Sequence, residues 1–283
     1  MADHQMPDSL PCLRHDEPEV YHNIQALTAG RTGALLRSIG HFSWGVRNRW
    51  AQGGGTPAMV LGSLVHSMVL EPETVSGLYV VKPEFGRKKD DLEAKSAWEA
   101  ANADRIVITA EQQDTAHAMG EALRTHDGAM LALTGRHEIS AYWMQHDVPC
   151  RARFDCLGDG FGADLKTAGD ASPTGFAKAC ANLGYHRTAA HYLDAYEAVT
   201  GERPAGYLFV AVESSPPHAI GVYELDEADI DLGRRQVEKA AARFRQYLDA
   251  RANENDRPII RTDYTEGVQR INLPAWAHYQ EEA

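Results

Sequence analysis

The chain has 283 residues, of which 43% are hydrophobic and 24% charged, and a formal net charge of −12 at pH 7. It is long enough to bury one large core or two modest ones without staples, and its acidic balance argues against coating nucleic acid by bulk attraction, though not against a local basic channel. No apolar run approaches the roughly 20 residues that span a bilayer, and the opening MADHQMPDSLPCLRHDEPEV has no signal-peptide core, so the default location is the cytoplasm.

In chain order, residues 1–18 read as an unanchored, mobile leader, and 19–283 as one domain, helical to about 135 and built of sheet and helices from about 136. The spacing of Leu35, Leu36, Ile39 and Phe42 predicts a helix from about 33 to 50, ended by QGGGTP. Thr56 offers an N-cap and Pro57 a first helical position for AMVLGSLVHSMVLEPE, which is apolar nearly all round and is expected to be buried. LYVVK reads as a short strand, and DLEAKSAWEAANA and TAEQQDTAHAMGEALRTH as exposed helices. The character then changes: HEISAYWM, PCRARFDCLG and GFGADLKT are three strand-like runs separated by QHDV and GDGFG. Ser172 and Pro173 start the helix TGFAKACANLG, and YHRTAAHYLDAYEAVTG follows as a longer one. The strands GYLFVAVES and HAIGVYEL precede an amphipathic helix from about 226 to 252, and the tail YTEGVQRINLPAWAHYQ carries isolated apolar residues expected to dock on the domain. This order implies an α/β domain with a mixed central sheet and a helical N-terminal part packed against it.

Cys12, Cys150, Cys156 and Cys180 are widely spaced and contain no CxxC, which suggests neither a zinc ribbon, nor an iron–sulfur cluster, nor a disulfide framework. Basic residues gather in GRTGALLRSIGHFSWGVRNRW (Arg31, Arg37, Arg47, Arg49) and KPEFGRKK (Lys82, Arg87, Lys88, Lys89). Such runs could line a channel but are more often solvated faces, so alone they decide little.

The stretch FDCLGDGFGADLKTAGDAS carries the chemistry. Its glycines allow a tight turn between a strand ending near Phe154 and Asp155 and a return strand from Ala163 to Thr167. Side chains alternate along a strand, so Asp164 and Lys166 share a face with Leu165 opposite. Pairing across the turn would bring Asp155 toward Asp164, and two close carboxylates raise each other's pKa unless something positive lies between them. Magnesium meets that need, because it takes oxygen ligands and typically one or two carboxylates plus phosphate. Lys166 would then orient or deprotonate an attacking water in metal-assisted phosphodiester hydrolysis. The alternative is a surface hairpin with an Asp164–Lys166 salt bridge. His66, in an otherwise apolar helix, reads on its own first as a satisfied core histidine. His186 and His191, five apart, do not share a helical face and suggest no separate zinc site.

The stretches GSLVHSMVLEPE, HEISAYWM, CRARFDCLG, GADLKTAGDASPTGFAKACANLGYHRTAAHYLDAYEAVTG and INLPAWA resemble, in order and across nearly the whole chain from about residue 20, the PD-(D/E)XK nuclease superfamily. Within it they look like the exonuclease VIII (RecE-type) recombination exonucleases of phages and prophages. The resemblance implies a restriction-endonuclease-like core, a mixed sheet flanked by helices with a helical N-terminal part. It also implies Mg2+-dependent degradation of linear double-stranded DNA, with Mn2+ as a substitute. Carried over by position, His66, Asp155 and Asp164 would be metal ligands together with the backbone carbonyl of Leu165. Lys166 would attend the attacking water, and Glu138 would have a supporting catalytic role or be a solvent-facing carboxylate at the strand edge. Relatives commonly read Gln-x-x-x-Tyr where this chain has Thr188 and Tyr192, on one helical face with Tyr185. Threonine is too short to replace that glutamine, which puts the full catalytic rate in question. Arg151, Arg153, Arg47 and Arg49 are further candidates for DNA contact or support. The family's ring-shaped homo-oligomers thread duplex DNA through a channel and work with a single-strand annealing protein. Two other functions stay open: a non-catalytic DNA-binding or assembly protein on the same fold, and a small-molecule hydrolase using the same carboxylates.

Overall fold

The computed structural model describes residues 5–48, 55–253 and 267–274. β1 (Cys12–Arg14) lies within the expected leader, yet it pairs antiparallel with a central strand at Tyr142, Ala141 and Ser140. The buried Asp16 carboxylate accepts the Tyr142 hydroxyl at 2.8 Å. The leader reading is thus corrected from Cys12 onward: three residues of strand are too short to show a period, but an open sheet edge holds them.

After α1 (Pro18–Asn23), the single helix expected from 33 to 50 is two, α2 (Ala29–Arg37) and α3 (Ile39–Asn48). Ser38 breaks it, with extended backbone at φ −171° and ψ 161°, and its Oγ accepts the His41 N–H at 3.1 Å to cap α3. α4 (Pro57–Leu70) begins as expected, with Thr56 Oγ1 accepting the Met59 N–H at 3.3 Å. It is not buried all round: Leu64, Val65 and Leu70 are buried, and Met59 is exposed. α5 (Val75–Leu78) leads to β2 (Tyr79–Val81); then come α6 (Lys89–Ala101), β3 (Ile106–Ile108), α7 (Ala110–Arg124) and α8 (Asp127–Ala132). β2 and β3 pair in parallel as a separate two-stranded sheet. α6 is exposed as expected, whereas α7 buries Ala116, Met119 and Leu123 in the same core as Leu64 of α4.

The predicted meander is β4 (Arg136–Gln145), β5 (Val148–Leu157) and β6 (Phe161–Ala168). α9 (Pro173–Leu183) and α10 (Tyr185–Thr200) then cross to β7 (Gly206–Glu213), which runs parallel to β6. β8 (Ile220–Glu224) returns antiparallel, and α11 (Glu227–Asn253) follows. The six-stranded sheet has the order β1-β4-β5-β6-β7-β8, the mixed sheet expected. Positive φ falls on Gly160 in the β5–β6 turn (79°) and on Gly184 after α9 (78°), where a side chain would be strained.

Helices cover both faces. The alternation of β7 sends Phe209 and Ala211 into a core with Leu35, Phe42, Leu193 and Phe244, and Val210 and Val212 into a second core with Leu64 and Met119. The tail expectation is corrected for its described part: Val268, Ile271 and Leu273 are exposed. Polar residues separate them in a segment without helix or strand, so they present no continuous apolar face.

Candidate metal centre

The β5–β6 ladder is short, consisting of Cys156↔Ala163 and Leu157↔Gly162. Beyond it, Asp155 takes over from backbone pairing, its Oδ2 accepting the Leu165 N–H at 2.8 Å. The N–H and C=O of one residue leave an extended strand on the same edge, so the Leu165 carbonyl faces the same gap. Asp164 is buried, 4% exposed, and pairs with the Lys166 ammonium. Leu165 turns to the opposite face, into the core with Leu64. The Lys166 Nζ lies 5.4 Å from the centroid of the Tyr185 ring, which stacks on Phe209.

The gap is closed by α4. A Cβ on Gly62 would lie 3.1 Å from Thr167 Oγ1, so the helix rests close on β6 at that point. One turn later on the same face is His66. Its Nε2 is 2.8 Å from Asp155 Oδ2 and its Nδ1 is 3.4 Å from Glu138 Oε1. The other Glu138 oxygen accepts from Arg153 Nε. Potential ligand atoms of His66, Asp155 and Asp164 all lie within 4.8 Å of one another, the one such group among the described residues.

Burial opposes the His66 charge, but the Asp155 carboxylate and its hydrogen bond, with Glu138, outweigh it and lift the imidazole to about 10. Burial pushes Asp164 up to about 8, where the Lys166 charge pulls it down and the Asp155 charge pushes it up. Asp155 is buried as well, yet the His66 charge and hydrogen bond hold it below the usual carboxylate range. Lys166 stays above its usual value because Asp164 and Asp155 overcome its burial. The metal-free chain thus balances its carboxylates with protons, an imidazolium and an ammonium. Two carboxylates, an imidazole nitrogen and a backbone carbonyl suit a hard divalent cation, which would displace those protons.

The other expected residues fall on either side of this centre. Arg151 is no surface contact: it is 1% exposed, with its guanidinium 4.4 Å from the Tyr21 ring centroid and Nη2 donating to the His22 carbonyl. The N-terminal segment covers it, which the strand pattern alone did not reveal. Arg153 is committed to Glu138. The Tyr192 hydroxyl donates to the Arg153 carbonyl at 2.9 Å, a supporting contact within the core. Thr188 sits half-buried on α10 between Tyr185 and Tyr192. His191 is buried against the Arg151 carbonyl, and His186 lies 3.0 Å from Gln236. Lys82, Arg87, Lys88 and Lys89 are exposed. The Arg47 side chain and all of Arg49 lie outside the described residues. The four cysteines are free thiols. Gly62 was missed in the sequence, although a glycine four residues before a histidine in an apolar helix marks a close approach on the histidine's face.

A family model described as a PDDEXK-like domain of unknown function (DUF3799) matches residues 35–256. The chain belongs to this family. Its nuclease-like fold is shared with the crystal structure of a candidate exonuclease from Eubacterium rectale, at a TM-score of 0.59 and 12% identity, over 89% of this chain and 92% of that one. No curated protein sequence matches the chain. Among the described residues no helix is long and apolar enough to cross a membrane.

Proposed function

We propose that the protein is a Mg2+-dependent exodeoxyribonuclease that removes one strand of linear duplex DNA from the 5′ end, leaving a 3′ overhang for recombination by strand annealing. The observation that carries the reading is the convergence of His66, Asp155 and Asp164 beside Lys166. His66, Asp155, Asp164 and the Leu165 carbonyl would hold the cation, which when bound supplies Lewis-acid polarisation of the scissile phosphate and a more acidic water. Lys166, held protonated by Asp164 and Asp155, orients the attacking water and offsets charge on the phosphate rather than serving as the base. Tyr185 flanks Lys166 with its ring. A ring of copies would gather basic residues such as Arg37 and Arg87 around the duplex while the outer surface keeps the net negative charge. A single-strand annealing protein would take the product strand.

The test is to incubate the purified protein with linear and closed circular duplex DNA, labelled at either 5′ or 3′ ends, with Mg2+ or Mn2+. Linear DNA is digested from the 5′ end and circular DNA is spared; equal digestion of both forms would make the protein an endonuclease. Lys166→Met lowers the rate by ~10²- to 10⁴-fold, the scale for a group acting on proton transfer or charge at the reacting centre. Thr188, in the place of a longer side chain, favours one second reading, a non-catalytic DNA-binding protein on the same fold. That reading predicts no digestion with either cation and a biological function that survives Lys166→Met.

A further inference from the structure

Glu138 stands beside the three converging groups without joining them. We propose that it is a positioning residue, whose carboxylate orients the His66 ring so that Nε2 faces Asp155 and the cation, while Glu138 itself ligates nothing. The inference rests on reading His66, Asp155 and Asp164 as metal ligands.

The two ring nitrogens of His66 have different partners: Nε2 is 2.8 Å from Asp155, and Nδ1 is 3.4 Å from Glu138. A histidine that binds metal through one nitrogen generally gives its other N–H to a carboxylate, which fixes ring orientation and tautomer. Glu138 is held from its other side by Arg153, itself 11% exposed, so the carboxylate cannot swing into the gap without abandoning that ion pair. Its oxygens are not among the atoms that converge with Asp155 and Asp164.

The backbone carries the same assignment. The β4–β5 register pairs His137 with Cys156 and Ile139 with Phe154, which places Glu138 opposite Asp155, yet the ladder skips that pair. Glu138 has φ 53°, in the left-handed region that a glutamate adopts only at a cost. A regular strand would project its side chain straight from the sheet. A local left-handed kink re-aims it, as strand irregularities beside active sites do, and here it is aimed at His66 on α4. The kink thus serves the contact with the imidazole.

The experiment compares Glu138→Ala, Glu138→Gln, Glu138→Gly and His66→Ala by Mn2+ titration calorimetry and by metal-free melting. Glu138→Ala weakens Mn2+ binding ~10- to 100-fold, the usual effect of losing a carboxylate behind a ligating histidine. Glu138→Gln, whose amide oxygen still accepts from Nδ1–H, recovers most of the loss. Glu138→Gly binds Mn2+ as poorly as Glu138→Ala but melts at a higher temperature, the reverse of the order at an ordinary strand position, where glycine is the weaker residue. Mn2+ binding that fails in His66→Ala and is unchanged in Glu138→Ala overturns the positioning role alone. Melting of Glu138→Gly below Glu138→Ala overturns the backbone argument. If the unaltered protein binds no Mn2+, the metal-site reading itself fails and the positioning role with it.

Discussion

Asp155 lies between two seams of the sheet that differ. On the β4 side the ladder runs from Arg136↔Leu157 to Gln145↔Val148 and lapses only at Glu138. On the β6 side it holds two pairs and stops. The closed seam gives rigidity: Tyr142, Arg151 and Phe154 are among the largest fully buried side chains. Where the other seam opens, backbone groups need partners, and a carboxylate supplies one by accepting the Leu165 N–H. Reactive groups therefore gather where strand pairing is withheld, beside pairing that keeps them in place.

Asp155→Asn breaks the open seam most completely. It keeps an acceptor for the Leu165 N–H but loses the charge that holds His66 and that, on the proposed reading, would hold a cation. The cleavage rate on linear duplex falls on the order of 10³-fold, the scale for removing one preorganised charge-stabilising group, while the fold persists. A variant that kept most of the rate would reduce Asp155 to a structural acceptor.

Loading the seam with a cation has a smaller, graded effect that depends on pH. In the metal-free chain burial lifts Asp164 toward about 8, and Asp155 with Glu138 lifts His66 to about 10, so both groups hold protons more tightly than usual. Binding must release these protons, so Mn2+ affinity rises as pH climbs toward about 8 and continues to rise toward about 10. Titration calorimetry in two buffers of different ionisation enthalpy measures the release directly. An affinity independent of pH would mean that neither group ligates.

The smallest perturbation acts on the helix that closes the gap. Gly62→Ala places a Cβ 3.1 Å from Thr167 Oγ1 and eases α4 off β6. Helix propensity gains up to about 1 kcal/mol, which offsets the crowding, so the melting temperature hardly moves while the rate falls severalfold. An unchanged rate would show that the seam tolerates a displaced His66.

Much of this arrangement was legible because its signals are local. Two-residue alternation and the glycines of GDGFG marked β5 and β6, and Thr56 with Pro57 marked the start of α4. The face shared by Asp164 and Lys166 followed from the pleat alone. The surroundings of the arginines were hidden for the same reason. Arg151 and Arg153 alternate like solvent-facing residues, and only the chain at Tyr21 and His22, about 130 residues earlier, shows that Arg151 is covered. The Ser38 break was missed because the apolar spacing runs through it; what ends α2 there is a change in backbone direction capped by a hydroxyl.

By itself, then, the sequence determined the order of helices and strands from about residue 136, the turn that joins Asp155 to Asp164, and, through resemblance, the residues to watch. Tertiary structure alone decided that His66 meets Asp155 across 89 positions of chain, that Glu138 faces the imidazole from a left-handed backbone, and that the N-terminal segment joins the sheet. Periodicity and capping act over a few residues, whereas these contacts depend on how layers pack and where a ladder ends, which no local spacing encodes.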